Sequence, residues 1–348
     1  MIPPPADPHK AGPPMRVPVP LAALAGFLAW APTSHAASFD CAKATQPAER
    51  LICADSALSS LDEAMAAEYS RARAAVSEDG RKQLRENQRS WLKYVTGTCA
   101  RPATALQCMR DAYQERLTTL KTVPITRGPF TFIPVERFGF QKSPGDDEAG
   151  MAPGWTITVQ RYPQIDNPAT PEAQRWNAAM AAKSSNEPLR DPNDDAEVDI
   201  LETFTIHSAS PVLISMSSEG YVYPHGAAHG TEGAQTSNHL LPQARELSPA
   251  DLFHPDQGWK AFLSNRCFTD LTAQAERDQW TLDATAPSAL MNTATNPENW
   301  EITETALTIR FPVYEVGPYS ASMPKVEIPW ADLKPYLAAQ PALPIPPH

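Results

Sequence analysis

The sequence predicts an α+β protein, a small disulfide-stapled helical bundle followed by an antiparallel-sheet α+β domain. Three observations carry the prediction. Four cysteines cluster within 68 residues, apolar residues keep helical spacing from Leu58 to Leu120, and the spacing changes to period two beyond Thr122.

The helical part reads in three segments. Leu58, Leu61, Met65, Tyr69, Ala72 and Val76 recur at steps of three and four, which places them on one face of a helix. Asp55 or Ser56 supplies its cap, and the run from Ser77 to Gly80 breaks it. Leu84, Trp91, Leu92 and Val95 form the apolar side of a second helix ended by Gly97. Leu106, Met109, Tyr113, Leu117 and Leu120 form that of a third. Residues 37–121 thus make a bundle small enough to gain from covalent staples.

Cys41, Cys53, Cys99 and Cys108 imply two disulfides and three alternative pairings. Cys41–Cys53 with Cys99–Cys108 is favoured because each closes a short loop beside a helix end; the alternative joins distant helix ends. Cys267 shares helical spacing with Trp259, Phe262, Leu263 and Leu271, so it is expected to be a buried free thiol.

A linker at 122–126 leads into a domain at 127–338. Period-two alternation marks strands at Trp155–Val159, Ile200–Ile206, Val212–Ser217 and Ala306–Phe311. Helical patterns fall at Pro171–Lys183, with Trp176 and Met180 inward, at Gly258–Leu271 and at Trp330–Leu337. Strands that follow one another without strict helix alternation predict antiparallel pairing. Lys142–Gly154 reads as a surface loop, and residues 339–348 as a disordered proline-rich tail.

Arg16 precedes an apolar stretch, Val17–Trp30, that ends in the small residues Ser34 and Ala36. That is the pattern of a signal peptide over residues 1–36, with Met15 as an alternative start. The stretch is too short to span a bilayer, so the mature chain is expected to carry no transmembrane segment and to be periplasmic or secreted. Residues 37–121 hold 13 basic and 11 acidic side chains, and residues 122–348 hold 14 and 28. The net charge of −11 argues against a nucleic-acid partner held by phosphate contacts. An acidic second part favours a basic partner.

Ser38-Phe39-Asp40-Cys41-Ala42-Lys43-Ala44, then Glu49, Ile52-Cys53, Leu58, Leu61-Asp62 and Tyr69, resembles the N-terminal domain of the LprI-type lysozyme-inhibitor family. The likeness continues through Gln88-Arg89-Ser90-Trp91-Leu92 and Cys99 to Cys108, Tyr113, Arg116 and Leu117. A second resemblance rests on three segments: Tyr221-Val222-Tyr223-Pro224-His225-Gly226-Ala227-Ala228-His229-Gly230, Leu247–Phe253, and Tyr314–Tyr319. These are similar to the extracellular domain of RsiV-type anti-sigma factors. One family is described as inhibiting lysozyme and the other as sensing it by binding. The resemblances therefore imply an exported, non-enzymatic protein that binds and inhibits lysozyme or a related glycan hydrolase.

The second resemblance also implies the partner-binding residues: Tyr221, Tyr223, Pro224, His225, Gly226, His229 and Tyr319. Aromatic side chains in exposed loops are common anchors; cross-strand packing is the competing account of Tyr221 and Tyr223. Two alternative functions stay open. A peptidoglycan-binding module would bind the wall without touching lysozyme. A metal-dependent wall hydrolase would use His225, His229 and His239, but Gly226 and Gly230 make that stretch a turn between strands, and no glutamate follows the first histidine as in helical zinc sites. Catalytic residues, metal ligands and cofactors are accordingly expected to be none. Asp62, Arg89 and Arg116 are expected to form an ion pair linking helices.

Overall fold

The computed structural model describes residues 37–143, 150–186, 197–255 and 257–343. The expected leader, the centre of the 142–154 loop and the last five residues lie outside them.

A short helix absent from the sequence expectation, α1 (Pro47–Ala54), is the first α-helix among the described residues, with Pro47 in its first turn. The Glu49 carboxylate accepts from the backbone N–H groups of Thr45 and Gln46. In α2 (Ser56–Ala74) Asp55 is the cap, accepting from Leu58 N–H at 2.8 Å. The expected break comes slightly earlier than Ser77, because Ser77 caps α3 (Glu78–Thr98) by accepting from Gly80 N–H. α4 (Ala105–Lys121) completes the bundle. Its core gathers Leu58, Met65, Trp91, Val95, Met109 and Tyr113. The disulfides are Cys41–Cys53 and Cys99–Cys108, spanning 12 and 9 residues.

Closing loops of this length constrains the unfolded chain by about 2–3 kcal/mol for each bond. A thermal melt followed by circular dichroism is therefore expected to show a lower midpoint in reductant. An unchanged midpoint would contradict that stabilising role.

Seven strands follow in a sheet whose spatial order is the chain order: β1 (Ile125–Arg127), β2 (Phe130–Lys142), β3 (Trp155–Ile165), β4 (Val198–Ala209), β5 (Leu213–Pro224), β6 (Thr231–Leu240) and β7 (Arg245–Glu246). Neighbours are antiparallel except β3 and β4, which run parallel. A parallel pair needs a crossover, and α5 (Pro171–Asn186) lies in it. Trp176 of α5 is fully buried against Phe132, in a cluster with Ile165, Ile206, Ile214 and Met216.

A second, three-stranded antiparallel sheet consists of β8 (Trp300–Ile302), β9 (Ala306–Arg310) and β10 (Lys325–Pro329). It shares the largest core with α6 (Trp259–Asp278), α7 (Met291–Ala294) and α8 (Trp330–Leu333). Cys267 is unpaired and fully buried there, and burial pushes its thiol up to about 12. The two sheets are joined by polar side chains on backbone: Ser208 Oγ donates to Ile302 O, Ser215 Oγ accepts from Ile302 N–H, and Asn238 donates to Trp300 O. Residues 339–343 of the expected tail are described. Ala342 N–H donates to Asp251 O and Leu343 is buried in this core, because an apolar side chain next to an open core gains by entering it.

Polar contacts dock the helices on the sheet. Beyond Phe132, β1 no longer covers the outer edge of β2. Asn87 of α3, fully buried, takes over: it donates to Pro134 O and accepts from Glu136 N–H, as a neighbouring strand would. Asp166 accepts from both the backbone and the hydroxyl of Ser77. Arg116 of α4 donates to Glu136 of β2 at 2.6 Å, and Arg161 of β3 reaches the other Glu136 oxygen at 3.1 Å. The expected ion pair among Asp62, Arg89 and Arg116 is therefore corrected. Asp62 accepts from Ser38 N–H, Arg89 is exposed, and Arg116 finds its carboxylate on the sheet. The described residues form one compact unit.

Candidate functional site

One face of the seven-stranded sheet is covered by α5. On the other face a groove of about 790 Å³ stays open. Its floor includes a single row of paired residues across four strands, Val159, Leu201, Tyr221 and Glu232. One wall is the corner between α3 and α4, where the Cys99–Cys108 disulfide lies; Met151–Pro153 and Met323 line the groove as well. Ile157, Phe138 and Ala112 add apolar surface. Four carboxylates face the groove, Asp111, Glu115, Glu219 and Glu232, while that of Glu202 accepts from the Gln160 amide on the α5 side of the sheet. Arg101, Arg161 and Arg310 supply the positive charge.

The aromatic rings deepest in this region are already committed. Trp91 packs edge-on against Tyr113, with the Arg116 guanidinium 5.7 Å from its ring centre. Tyr94 lies among Phe138 and Phe140, and burial pushes its hydroxyl pKa up.

The end of β5 and the β5–β6 connection hold six of the seven residues expected to bind a partner. Ala227 N–H donates to Pro224 O at 3.0 Å and Gly226 has φ +80°. Such a turn calls for glycine at its third position. Tyr223 Oη donates to Ala227 O, bracing the turn. Tyr221 Oη accepts from Gly230 N–H, and a Cβ on Gly230 would meet the Tyr221 ring, so this glycine is required by close approach. His225 turns inward. Its side chain is 3% exposed, with Nε2 3.1 Å from Asp199 and Nδ1 3.5 Å from Glu197. Asp199 also accepts from the backbone N–H groups of Met151 and Ile157. His225 thus helps tie the hairpin to the segment beside the groove.

His229 points the other way. It is exposed and stacked on Tyr319 at 4.3 Å, and Tyr319 is 5.7 Å from Tyr314. Tyr314 is 55% exposed and has φ +66°, a conformation that costs a non-glycine residue energy and that gathers at functional sites. Ser322 Oγ donates to Glu232, which fastens this loop to β6. Desolvation, with Glu232 nearby, raises the Tyr319 pKa. Of the expected residues, Tyr221, His229 and Tyr319 share one side of the hairpin, Pro224 is exposed at the end of β5, and Tyr223, His225 and Gly226 build the turn. Tyr314 joins the patch through the fold; its place in the segment Tyr314–Tyr319 was the signal available in the sequence.

His225, His229 and His239 have separate partners: Asp199 and Glu197, Tyr319, and Glu246. Among the described residues, no group of three or more His, Cys, Asp or Glu is placed to hold a metal ion. One serine–histidine–glutamate line does exist. A bulge in β4 re-aims His207, whose Nε2 is 3.0 Å from Ser217 Oγ and whose Nδ1 is 3.9 Å from Glu301. Ser217 is fully buried, and Glu301 is held by Arg310 and Lys325. Burial, with Arg310 and Lys325 nearby, lowers the His207 pKa. The line fastens one sheet to the other.

Residues 41–120 match the family model of the lysozyme inhibitor LprI, and residues 250–331 match that of a protein of unknown function (DUF3298). The seven-stranded sheet lies between the two matches. Among solved structures, the chain is similar to a DUF3298 family member from Bacteroides fragilis NCTC 9343. That likeness has 14% identity and a TM-score of 0.42, covering 62% of this chain and 96% of that one. It is also similar to a DUF3298 family protein from Pseudomonas aeruginosa PAO1, with 17% identity and a TM-score of 0.40, covering 61% and 96%. No curated protein matches the chain.

Proposed function

We propose that this chain is an exported, non-enzymatic protein that binds lysozyme or a related glycan hydrolase and inhibits it. The match of residues 41–120 to a lysozyme inhibitor carries the reading. Two disulfides in the same segment suit an oxidising compartment. Among the described residues no helix is long and apolar enough to cross a membrane. The charge of −11 favours encounter with a basic enzyme.

The exposed patch of His229, Tyr319 and Tyr314 supplies the contact in this reading. Glycan hydrolases of this kind present two carboxyl groups in a cleft, and the patch offers a ring nitrogen and two phenol groups as donors to them. Aromatic anchors of this type carry on the order of 2 kcal/mol or more apiece.

Titration of the purified chain into a lysozyme turbidity assay, with calorimetry alongside, tests the reading. The expected result is inhibition with a one-to-one endpoint, weakened roughly 10- to 100-fold in His229→Ala/Tyr319→Ala. Unchanged lysozyme activity at large molar excess of folded protein overturns it. The stacked rings of the same patch also suit a sugar face, which favours wall binding as the second reading. Retention on insoluble peptidoglycan together with no effect on lysozyme would select that one.

A further inference from the structure

We infer that the groove between the α3–α4 corner and the sheet receives a basic segment of the protein partner, with a lysine or arginine stem on its apolar floor and the charged head among its carboxylates. The inference rests on the binding reading above and adds a second contact, separate from the aromatic patch.

Charge is the first argument. Four carboxylates face the groove, Asp111, Glu115, Glu219 and Glu232, against three guanidiniums. Two of those guanidiniums are each divided between a groove carboxylate and a buried one outside it: Arg161 between Glu115 and Glu136, and Arg310 between Glu219 and Glu301. Glu136 and Glu301 are themselves buried, so these pairs are fixed parts of the fold. Two groove carboxylates have neutral donors instead: Asp111 accepts from the Gln107 amide, and Glu232 from the Ser322 hydroxyl. They stand on α4 and on β6, so the excess charge reaches both sides of the groove.

Shape is the second argument. Val159, Leu201 and Ile157 give the floor a continuous apolar strip below those carboxylates. A long basic side chain fits this arrangement because its methylene stem gains from apolar contact while its head keeps polar partners. A neutral sugar would want a free aromatic face, and Trp91 is 4% exposed with its ring engaged by Tyr113 and Arg116. The groove also borders the aromatic patch, since Tyr221, Glu232 and Met323 line it. A single partner can therefore engage both.

The test uses the full purified chain and two probes, egg-white lysozyme and fluorescein-labelled decalysine. Asp111→Asn/Glu232→Gln is compared with Glu63→Gln/Glu86→Gln, two exposed carboxylates outside the groove, and circular dichroism confirms folding of both. The groove variant is expected to weaken both probes by about tenfold while the control pair does not, and the difference should shrink as salt rises. Equal weakening by both variants would assign the binding to general surface charge and overturn the inference. Lysozyme bound with unaltered affinity in the groove variant overturns it too, while leaving the inhibitor reading in place. Decalysine bound and then lost in the groove variant, with no lysozyme binding at all, supports a basic-segment groove and removes the inhibitor reading. Displacement of decalysine by a neutral chito-oligosaccharide would give the groove to a glycan and overturn the inference.

Discussion

Glu136→Ala is expected to destabilise the fold by about 3–5 kcal/mol, because it strands a buried guanidinium. The Glu136 side chain is 1% exposed and that of Arg116 is 2% exposed. Among the described residues, Arg116 would keep the Gln88 carbonyl oxygen and the Trp91 ring, and Arg161 the exposed Glu115. Chemical denaturation at neutral pH measures the loss. Glu136→Leu/Arg116→Met is expected to recover much of it, since a buried pair exchanged for apolar residues of similar volume is often close to neutral. A single alanine variant within about 1 kcal/mol of the parent chain would show that the pair is not a fixed part of the native state. The effect has a functional side. Arg161 lines the groove and α4 forms its wall, so loosening this contact changes the space offered to a partner.

The same contact shows why part of the molecule was legible in the sequence and part was not. α2, α3 and α4 were legible because each buries one apolar stripe of its own. β3, β4, β5 and β9 were legible because apolar residues recur at every second position in part of each: Trp155, Ile157 and Val159; Phe204 and Ile206; Ile214 and Met216; Leu307 and Ile309. β2 escaped because Pro134, Glu136 and Arg137 interrupt its pattern, and its backbone is completed by Asn87, 47 and 49 residues away in sequence. β6 escaped because its buried positions include Thr236 and Asn238, and the Asn238 amide N–H reaches Trp300 O only once the sheets meet. The site follows the same rule. The hairpin residues were visible as a local motif, but the inward turn of His225 depends on Asp199. The groove draws its lining from elements between Trp91 and Met323, which no local pattern brings together.

Trp300→Ala is expected to cost about 3–5 kcal/mol by emptying the centre of the largest core. Trp300 is fully buried, edge-on to Phe253 at 5.7 Å and to Trp259 at 6.2 Å. Its indole N–H donates to Ala294 O at 2.9 Å, and its own carbonyl accepts from Asn238 of the first sheet. Trp300→Phe keeps most of the ring volume but leaves the Ala294 carbonyl without its donor, at a cost of about 1–3 kcal/mol. Denaturant midpoints of the two variants, compared at equal slope, check the order. If alanine cost no more than phenylalanine, packing at this position would not be the main term. Because Tyr314 and Tyr319 lie between β9 and β10, the alanine variant is also expected to lose partner binding before it loses all helical signal.

The two disulfides have a consequence for biosynthesis. Each joins cysteines that are neighbours in the list of cysteines along the chain, the first with the second and the third with the fourth. A polypeptide that emerges amino end first presents Cys53 to Cys41 before Cys99 exists outside the ribosome. An oxidant that pairs thiols in their order of appearance therefore reaches the native arrangement directly, and no shuffling enzyme is required. The fifth thiol, Cys267, arrives last and is sequestered by α6 against the core, so it offers no late competitor for either bond.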